Sequence, residues 1–405
     1  MITKAILATA IVASAGFASA ADDSPLVRPG FQVIDDNTII VNGVTYHSWN
    51  ELADSGYFDT VNTHCVTNPT EIPGPARGAA NDCSFNNTSV EAQYDPSNGV
   101  IRIPVVVHVI QNNSGTGFIS ESRVQSQIDV LNEDFQAIAG TNGANGTNAQ
   151  IEFFLATEDP NGNPTNGITY STNNTWFNDG GSYWNTLAWD TDRYLNIYTN
   201  TASGALGYVP DLPQGGIVGS NADRVVVLYS SFGRNAPLVP FHLGRTTTHE
   251  VGHYLGLYHT FNGGCAPASN CSINGDRICD TNPENSPTFG CPGSRTSCGV
   301  QAPKDNYMDY ADDICMEKFT PDQVNRMRCT LEHYRPDLAS DGPGGGPCSP
   351  ADFLEPYGVL DFSDVSAFLI SFNGGAPQAD LALPLGVFDF SDVAAFLGLF
   401  GAGCP

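Results

Sequence analysis

The sequence predicts an α/β (α+β) body followed by a small all-α module, and three observations carry that reading. Strand-like runs alternate with amphipathic helical periods from about residue 101 to 259. Five cysteines then crowd residues 265–298, where few periodic runs remain. Finally, residues 351–369 match residues 379–397 at a period of 28. Mixed strands and helices imply a layered α/β unit, and the cysteine-rich stretch implies loops held by cross-links rather than by a large core. The repeat implies two copies of one loop-helix unit.

The elements follow in order. Lys4, an apolar run over residues 5–17 and Ala18-Ser19-Ala20 read as a secretory signal over residues 1–20. A membrane span is excluded, because that run is too short and no other segment reaches about twenty apolar residues. Export places the chain outside the cell, where its eleven cysteines can oxidise. Residues 21–98 are rich in Asn, Pro and Gly and read as irregular, with one amphipathic patch between Tyr46 and Phe58. Residues 101–110 are a Val- and Ile-rich run that suits a buried strand. Ser122 then opens a helix whose face carries Val124, Ile128, Leu131 and Phe135. Residues 151–156, 194–198 and 224–229 read as further strands. With 43 acidic against 16 basic residues the net charge is −27. Such a chain is a poor nucleic-acid binder, because phosphate contacts need clustered Lys and Arg.

The chemistry sits in His249-Glu250-Val251-Gly252-His253-Tyr254-Leu255-Gly256-Leu257-Tyr258-His259. On a helix His249 and His253 project from one face, one turn apart. Gly256 supplies a backbone that can end the helix and turn the chain, which brings His259 round as a third ligand. Three protein ligands with an open fourth position are the catalytic pattern of Zn2+. Glu250 stands beside the ligand face as the general base for an attacking water. That constellation predicts hydrolysis of peptide bonds in protein or peptide substrates.

A second segment, Asp305-Asn306-Tyr307-Met308-Asp309-Tyr310, lies about fifty residues beyond His259. The flanking text includes Gly244-Arg245-Thr246-Thr247-Thr248, Thr260-Phe261-Asn262-Gly263-Gly264-Cys265 and Gly275-Asp276-Arg277-Ile278-Cys279-Asp280-Thr281. It continues through Gly290-Cys291-Pro292, Asp312-Asp313-Ile314-Cys315-Met316, Phe319-Thr320 and Gln323, and upstream through residues 103–110 and 127–135. Together these resemble the pappalysin (cytophagalysin) branch of the metzincin zinc peptidases over roughly residues 100–330. The resemblance implies a twisted mixed sheet and zinc helix above a loop-rich, disulfide-braced lower subdomain. Met308 becomes an apolar floor beneath the ligands, and Tyr310 a ligand of the resting zinc or a donor to the oxyanion. It further implies disulfides Cys265–Cys298 and Cys291–Cys315, which leaves Cys271–Cys279 to close a local loop. A structural Ca2+ site would use Asp276 and Thr281, with Asp280 as a further carboxylate. Residues 21–98 take the place of a propeptide and residues 99–338 that of the catalytic domain. Within the propeptide Cys65 is either a cysteine switch that occupies the fourth zinc position or the disulfide partner of Cys83. Cys329 is left without an assigned partner.

Residues 339–347 form a Gly/Pro linker, and residues 348–405 the repeat. Each unit reads Gly-Val-apolar-Asp-Phe-Ser-Asp-Val, then a helix with Val365, Phe368, Leu369 and Phe372, or Val393, Phe396, Leu397 and Phe400. The pair resembles a dockerin of the type that ends in Gly-Cys-Pro, here Gly403-Cys404-Pro405. Of the usual calcium ligands only Asp361, Asp364, Asp389 and Asp392 remain. The units therefore read as two packed helices clasped by Cys348–Cys404 and offered to a docking partner, which would retain the protein at the cell surface.

Overall fold

Strand β4 (Ile101–Gln111) is the spine of the sheet, with eight consecutive buried residues from Ile103 to Ile110. A strand covered on both faces needs apolar side chains on both, so this run is continuous rather than alternating. The computed structural model describes residues 30–69, 83, 89–266, 269, 271–339, 349–353, 360, 362–382 and 386–403. The expected signal over residues 1–20, residues 340–347 of the linker, Cys348, Asp361 and Cys404 lie outside these residues.

Along one edge of β4 lie β5 (Ile151–Leu155) and then β6 (Ile168–Thr172); β7 (Leu195–Asn200) pairs with its other edge. β9 (Val225–Leu228) follows β7 in parallel, and the short β8 (Gly207–Tyr208) runs antiparallel on β9 as the last strand. Six strands thus make a mixed sheet that ends at β8. Helix α2 (Glu121–Phe135) packs its apolar face on the sheet. Its cap is Ser120, whose side chain accepts from Arg123 N, so the helix opens one residue before the expected Ser122. Short helices α3 (Asn174–Phe177) and α4 (Trp184–Leu187) connect β6 to β7. Helix α5 (Arg245–Tyr254) lies under β8 and β9 and against α2.

Residues 21–98 depart from the irregular expectation. They hold a three-stranded antiparallel sheet, β1 (Phe31–Asp35), β2 (Thr38–Val41) and β3 (Val44–Tyr46), and helix α1 (Trp49–Asp54). Asn42 and Gly43 both take positive φ, the backbone that a tight hairpin turn requires. Trp49, Leu52 and Phe58 join the main core, which is how so short a unit is stabilised.

After α5 the chain is loop-rich, with one small hairpin, β10 (Thr296–Ser297) and β11 (Val300–Gln301). Disulfides join Cys265 to Cys298, Cys271 to Cys279 and Cys291 to Cys315. Helices α6 (Pro321–His333) and α7 (Pro336–Ala339) close the body.

The repeat folds around helices α8 (Phe362–Asn373) and α9 (Phe390–Ala402) with a core of its own, where Phe368 and Phe396 stack at 4.1 Å. Leu369 and Leu397, expected inside, are more than half exposed. Asp364 and Asp392 are buried and accept backbone N–H groups of Phe353, and of Leu381 and Ala382. No helix among the described residues is long and apolar enough to cross a membrane.

Candidate metal centre and active site

Helix α5 carries the site, and two glycines set its limits. Gly252 admits Met308 beneath the helix, since a Cβ there would stand 2.4 Å from the sulfur. Gly256 ends the helix at φ +91°, where a Cβ would meet Thr330 and Gln214 at 2.6 and 2.9 Å. The turn delivers His259 to the other two imidazoles. His253 Nε2 lies 3.1 Å from His249 Nε2 and 3.0 Å from His259 Nε2.

Backbone carbonyls fix the tautomers. His249 Nδ1 donates to Tyr307 O and His253 Nδ1 to Leu257 O, both at 2.7 Å. Their Nε2 lone pairs therefore face one another, and burial holds all three rings far below the usual histidine pKa, His249 at about 4. Neutral imidazoles whose lone pairs converge at about 3 Å repel unless a cation lies between them. That donor set fits zinc. Among the described residues, the one group of three or more His, Cys or carboxylate ligand atoms within 4.8 Å is Cys65, His249, His253 and His259.

Cys65 settles one open alternative. The structure pairs Cys83 with Cys329, so Cys65 keeps a free thiol and is not bonded to Cys83. Cys65 forms a parallel bridge with Gly207, and its neighbours bond the same edge: Val66 N donates to Gly207 O (3.3 Å) and Leu206 N to His64 O (3.0 Å). The segment thus adds a strand to β8 across the cleft. Cys65 Sγ and Thr67 Oγ1 reach Glu250 Oε2 at 3.5 and 3.3 Å. Glu250 is buried, and burial pushes its carboxyl up to about 8. Gly207 makes room for it, because a Cβ there would stand 2.8 Å from Glu250 Cγ. Tyr310 Oη lies 3.1 Å from His259 Nε2 and donates to Cys65 O at 3.0 Å; His64 stacks on its ring.

Two further groups lie within quoted segments, 127–135 and 312–316, but carried no assigned role. Asp134 on α2 is fully buried. Its Oδ1 accepts from Arg245 Nη2 (3.0 Å) and Tyr307 Oη (2.8 Å), and its Oδ2 from Thr248 Oγ1 (2.7 Å). Asp313 is buried in the wall of a small pocket beside Glu250, with Thr246, Leu206, Met316 and His64. Asp134 had a legible signal: with Gln127, it is a polar residue at helical spacing on the apolar face of α2. Asp313 had none beyond its place after the Met308 turn.

The calcium candidates separate. Thr281 Oγ1 donates to Asp276 Oδ2 at 2.6 Å, and Ile278 N to Asp276 Oδ1 at 3.1 Å. Asp280 turns instead to the start of α6, where Asp322 N donates to it at 2.9 Å.

A peptidase family model described as Pregnancy-associated plasma protein-A matches residues 182–332. An extracellular metalloprotease of Colletotrichum graminicola is 34% identical over 245 residues, which is 58% of this chain and 78% of the relative. Extracellular metalloprotease 1 of Coccidioides posadasii shows the same identity and coverage. Among solved structures, a promirolysin mutant of Tannerella forsythia is similar with a TM-score of 0.53 and 36% identity, covering 64% of this chain and 87% of that one. Mature mirolysin in complex with a cleaved peptide gives 0.51 and 39%, covering 60% and 96%.

Proposed function

The chain belongs to the pregnancy-associated plasma protein-A family of metallopeptidases, and on that premise we propose a secreted zinc endopeptidase made as a latent precursor. One observation carries it: three imidazole Nε2 atoms and the Cys65 sulfur converge beside the buried Glu250 carboxylate. His249, His253 and His259 hold the zinc, which when bound supplies Lewis acidity and lowers the pKa of water to about 7. Glu250 takes a proton from the attacking water as oxygen adds to the scissile carbonyl carbon. It then delivers that proton to the amine nitrogen as the C–N bond breaks. Tyr310 donates to the oxyanion; its hydroxyl, 3.1 Å from His259 Nε2 and already donating to the Cys65 carbonyl, supports a donor role beside the zinc ligands.

Latency follows from the same geometry. Cys65, with His64 and Thr67, fills the cleft as an added strand, and a peptide substrate would use the same β8 edge. The similarity to both a promirolysin and a mature mirolysin supports a precursor and a processed form. Asp313 makes the pocket beside Glu250 suited to a basic side chain, since a buried carboxylate favours a cationic partner. Asp276 and Thr281 form the core of a Ca2+ site, with Asp280 one step away at the α6 terminus. Residues 1–20 direct export, and residues 348–405 attach the enzyme to a partner outside the cell.

The test is bound zinc together with chelator-sensitive cleavage of an unstructured protein, read as a cleavage-site profile on a mixed peptide library. Cleavage should concentrate at bonds flanked by Lys or Arg. A protein that binds no zinc and cleaves nothing would overturn the reading, and a profile without basic preference would remove the role of Asp313.

A further inference from the structure

Outside the cleft, one side-chain cluster joins two parts of the chain that activation would separate. Cys83 is bonded to Cys329, within helix α6. Around that bond Tyr94 is buried, with the partly buried Val90 and Tyr334 packed against it. Asn325 of the same helix grips the passing backbone twice: its Nδ2 donates to Ser89 O (3.0 Å) and its Oδ1 accepts from Glu91 N (2.8 Å). Arg328, one turn on, donates to Gln150 O (3.2 Å) and Gly99 O (3.4 Å), which ties the end of this stretch to the start of β5. Cys83 and residues 89–99 are thus fastened to α6 covalently and by hydrogen bonds. Cys65 and Thr67 are held instead by the cleft.

We infer that the activating cut lies after Thr67 and on the N-terminal side of Cys83, and that the chain from Cys83 onward remains in the mature enzyme as an arm bolted to α6. This rests on the latency reading above, and it moves the propeptide boundary upstream from residues 98 and 99. The physical reason is effective concentration. A cut near residues 95–99 would leave the segment that carries Cys65 joined through Cys83–Cys329 to α6. A tethered inhibitor rebinds as an intramolecular partner, at an effective concentration that reaches the millimolar range for short tethers. A cut ahead of Cys83 hydrolyses one peptide bond and lets residues through Thr67 diffuse away, while the disulfide stays intact.

The full-length protein is expressed for export, and the active species is sequenced from its N-terminus and weighed intact before and after reduction. The expected N-terminus lies after Thr67 and no later than Cys83, with no fragment released by reduction and a Cys83–Cys329 peptide in the unreduced digest. An active species that begins after Cys83 overturns the inference, whether or not reduction releases a fragment. A chain fully active with residues 30–67 still attached overturns the latency reading, and the inference with it. A second measurement compares active species from the wild type and from the Cys83→Ser, Cys329→Ser double variant. Loss of the bond should lower Tm by roughly 5 °C or more. Equal Tm values, in species whose N-termini precede Cys83, would show that the bond does not fasten the arm and would overturn that part of the inference.

Discussion

The Cys65 sulfur lies 3.5 Å from Glu250 Oε2, so the side chain that closes the cleft also engages the carboxylate meant to work there. Burial first, and the neighbouring Glu250 second, raise the Cys65 thiol, so without metal the sulfur keeps its proton and meets Glu250 uncharged. Cys65→Ala removes the sulfur and leaves His64 and Thr67 in place. The uncut variant should cleave a short peptide more than about tenfold faster than the uncut wild type, the equivalent of ~1.4 kcal/mol. An inactive Cys65→Ala precursor would assign the block to the added strand and the His64 stack instead.

Glu250→Gln separates metal binding from proton transfer. Gln keeps the volume but cannot accept the water's proton, so turnover should fall by roughly 10²–10⁴-fold or more while bound zinc stays stoichiometric. Metal content and peptide cleavage measured on one sample decide this. Residual activity near the wild-type rate would remove Glu250 from its role.

Asp134 connects three pieces of the site without touching it: Arg245 and Thr248 on the zinc helix, and Tyr307, whose carbonyl orients His249. Asp134→Asn leaves Arg245 buried without its counter-charge, a loss that costs about 3–5 kcal/mol when one partner of a buried pair is removed. Zinc affinity in a chelator competition should fall about 10–100-fold. Tyr307→Phe removes only one hydrogen bond and should cost ~1 kcal/mol, with a smaller effect on zinc. Unchanged zinc affinity in both variants would make the network purely structural.

The three histidines and Glu250 were legible because their chemistry is written in local spacing, which a helix and one glycine turn convert directly into geometry. The strands at 101–110 and 224–229 were legible as Val-rich runs buried on both faces, and those at 151–156 and 194–198 as short runs rich in β-branched and aromatic residues. Strand β8 was not: Gly207 and Tyr208 form two residues of ladder, too short for any period. Strands β1 to β3 alternate weakly and are stabilised by packing onto a core that lies far along the chain. Cys83–Cys329 spans 246 residues, and no local pattern encodes a partner at that distance. The Asp313 pocket arises only when α5 and the Met308 turn meet.

Calcium and pH should act on one another through Asp276. Burial raises its carboxyl to about 7, while Thr281 and the Ile278 N–H oppose the shift. The folded pKa exceeds the unfolded one, so between pH ~4 and ~7 the folded state keeps a proton that the unfolded chain has released. Without calcium, this group's contribution to stability is therefore full in acid and declines as pH rises through about 7. Calcium needs the ionised carboxylate, so its stabilisation should be small at pH 5 and larger at pH 8. Thermal melts with and without Ca2+ at both pH values check this, and Asp276→Asn should abolish the difference. A calcium effect equal at both pH values, or absent at both, would remove Asp276 from any ion site.

The C-terminal module should be dispensable for peptide hydrolysis. Its core of Ala351, Phe368, Ala379 and Phe396 is a cluster separate from the one that supports α5 and the sheet. Phe396→Ala deletes half of the stacked pair at its centre and should cost about 3–5 kcal/mol, enough to unfold so small a core. The catalytic body should not register that loss, and truncation at Pro347 should leave cleavage of a short peptide nearly unchanged. The outer faces carry matching apolar side chains, Phe362 and Leu369 on α8 and Phe390 and Leu397 on α9, at 81%, 52%, 79% and 56% exposure. Solvent-facing rings in duplicate stabilise neither the module nor the enzyme, which is why a docking role suits them. Truncation should accordingly change where the enzyme is retained outside the cell. A truncated enzyme that loses most of its activity on a short peptide would instead make the tail part of the catalytic fold.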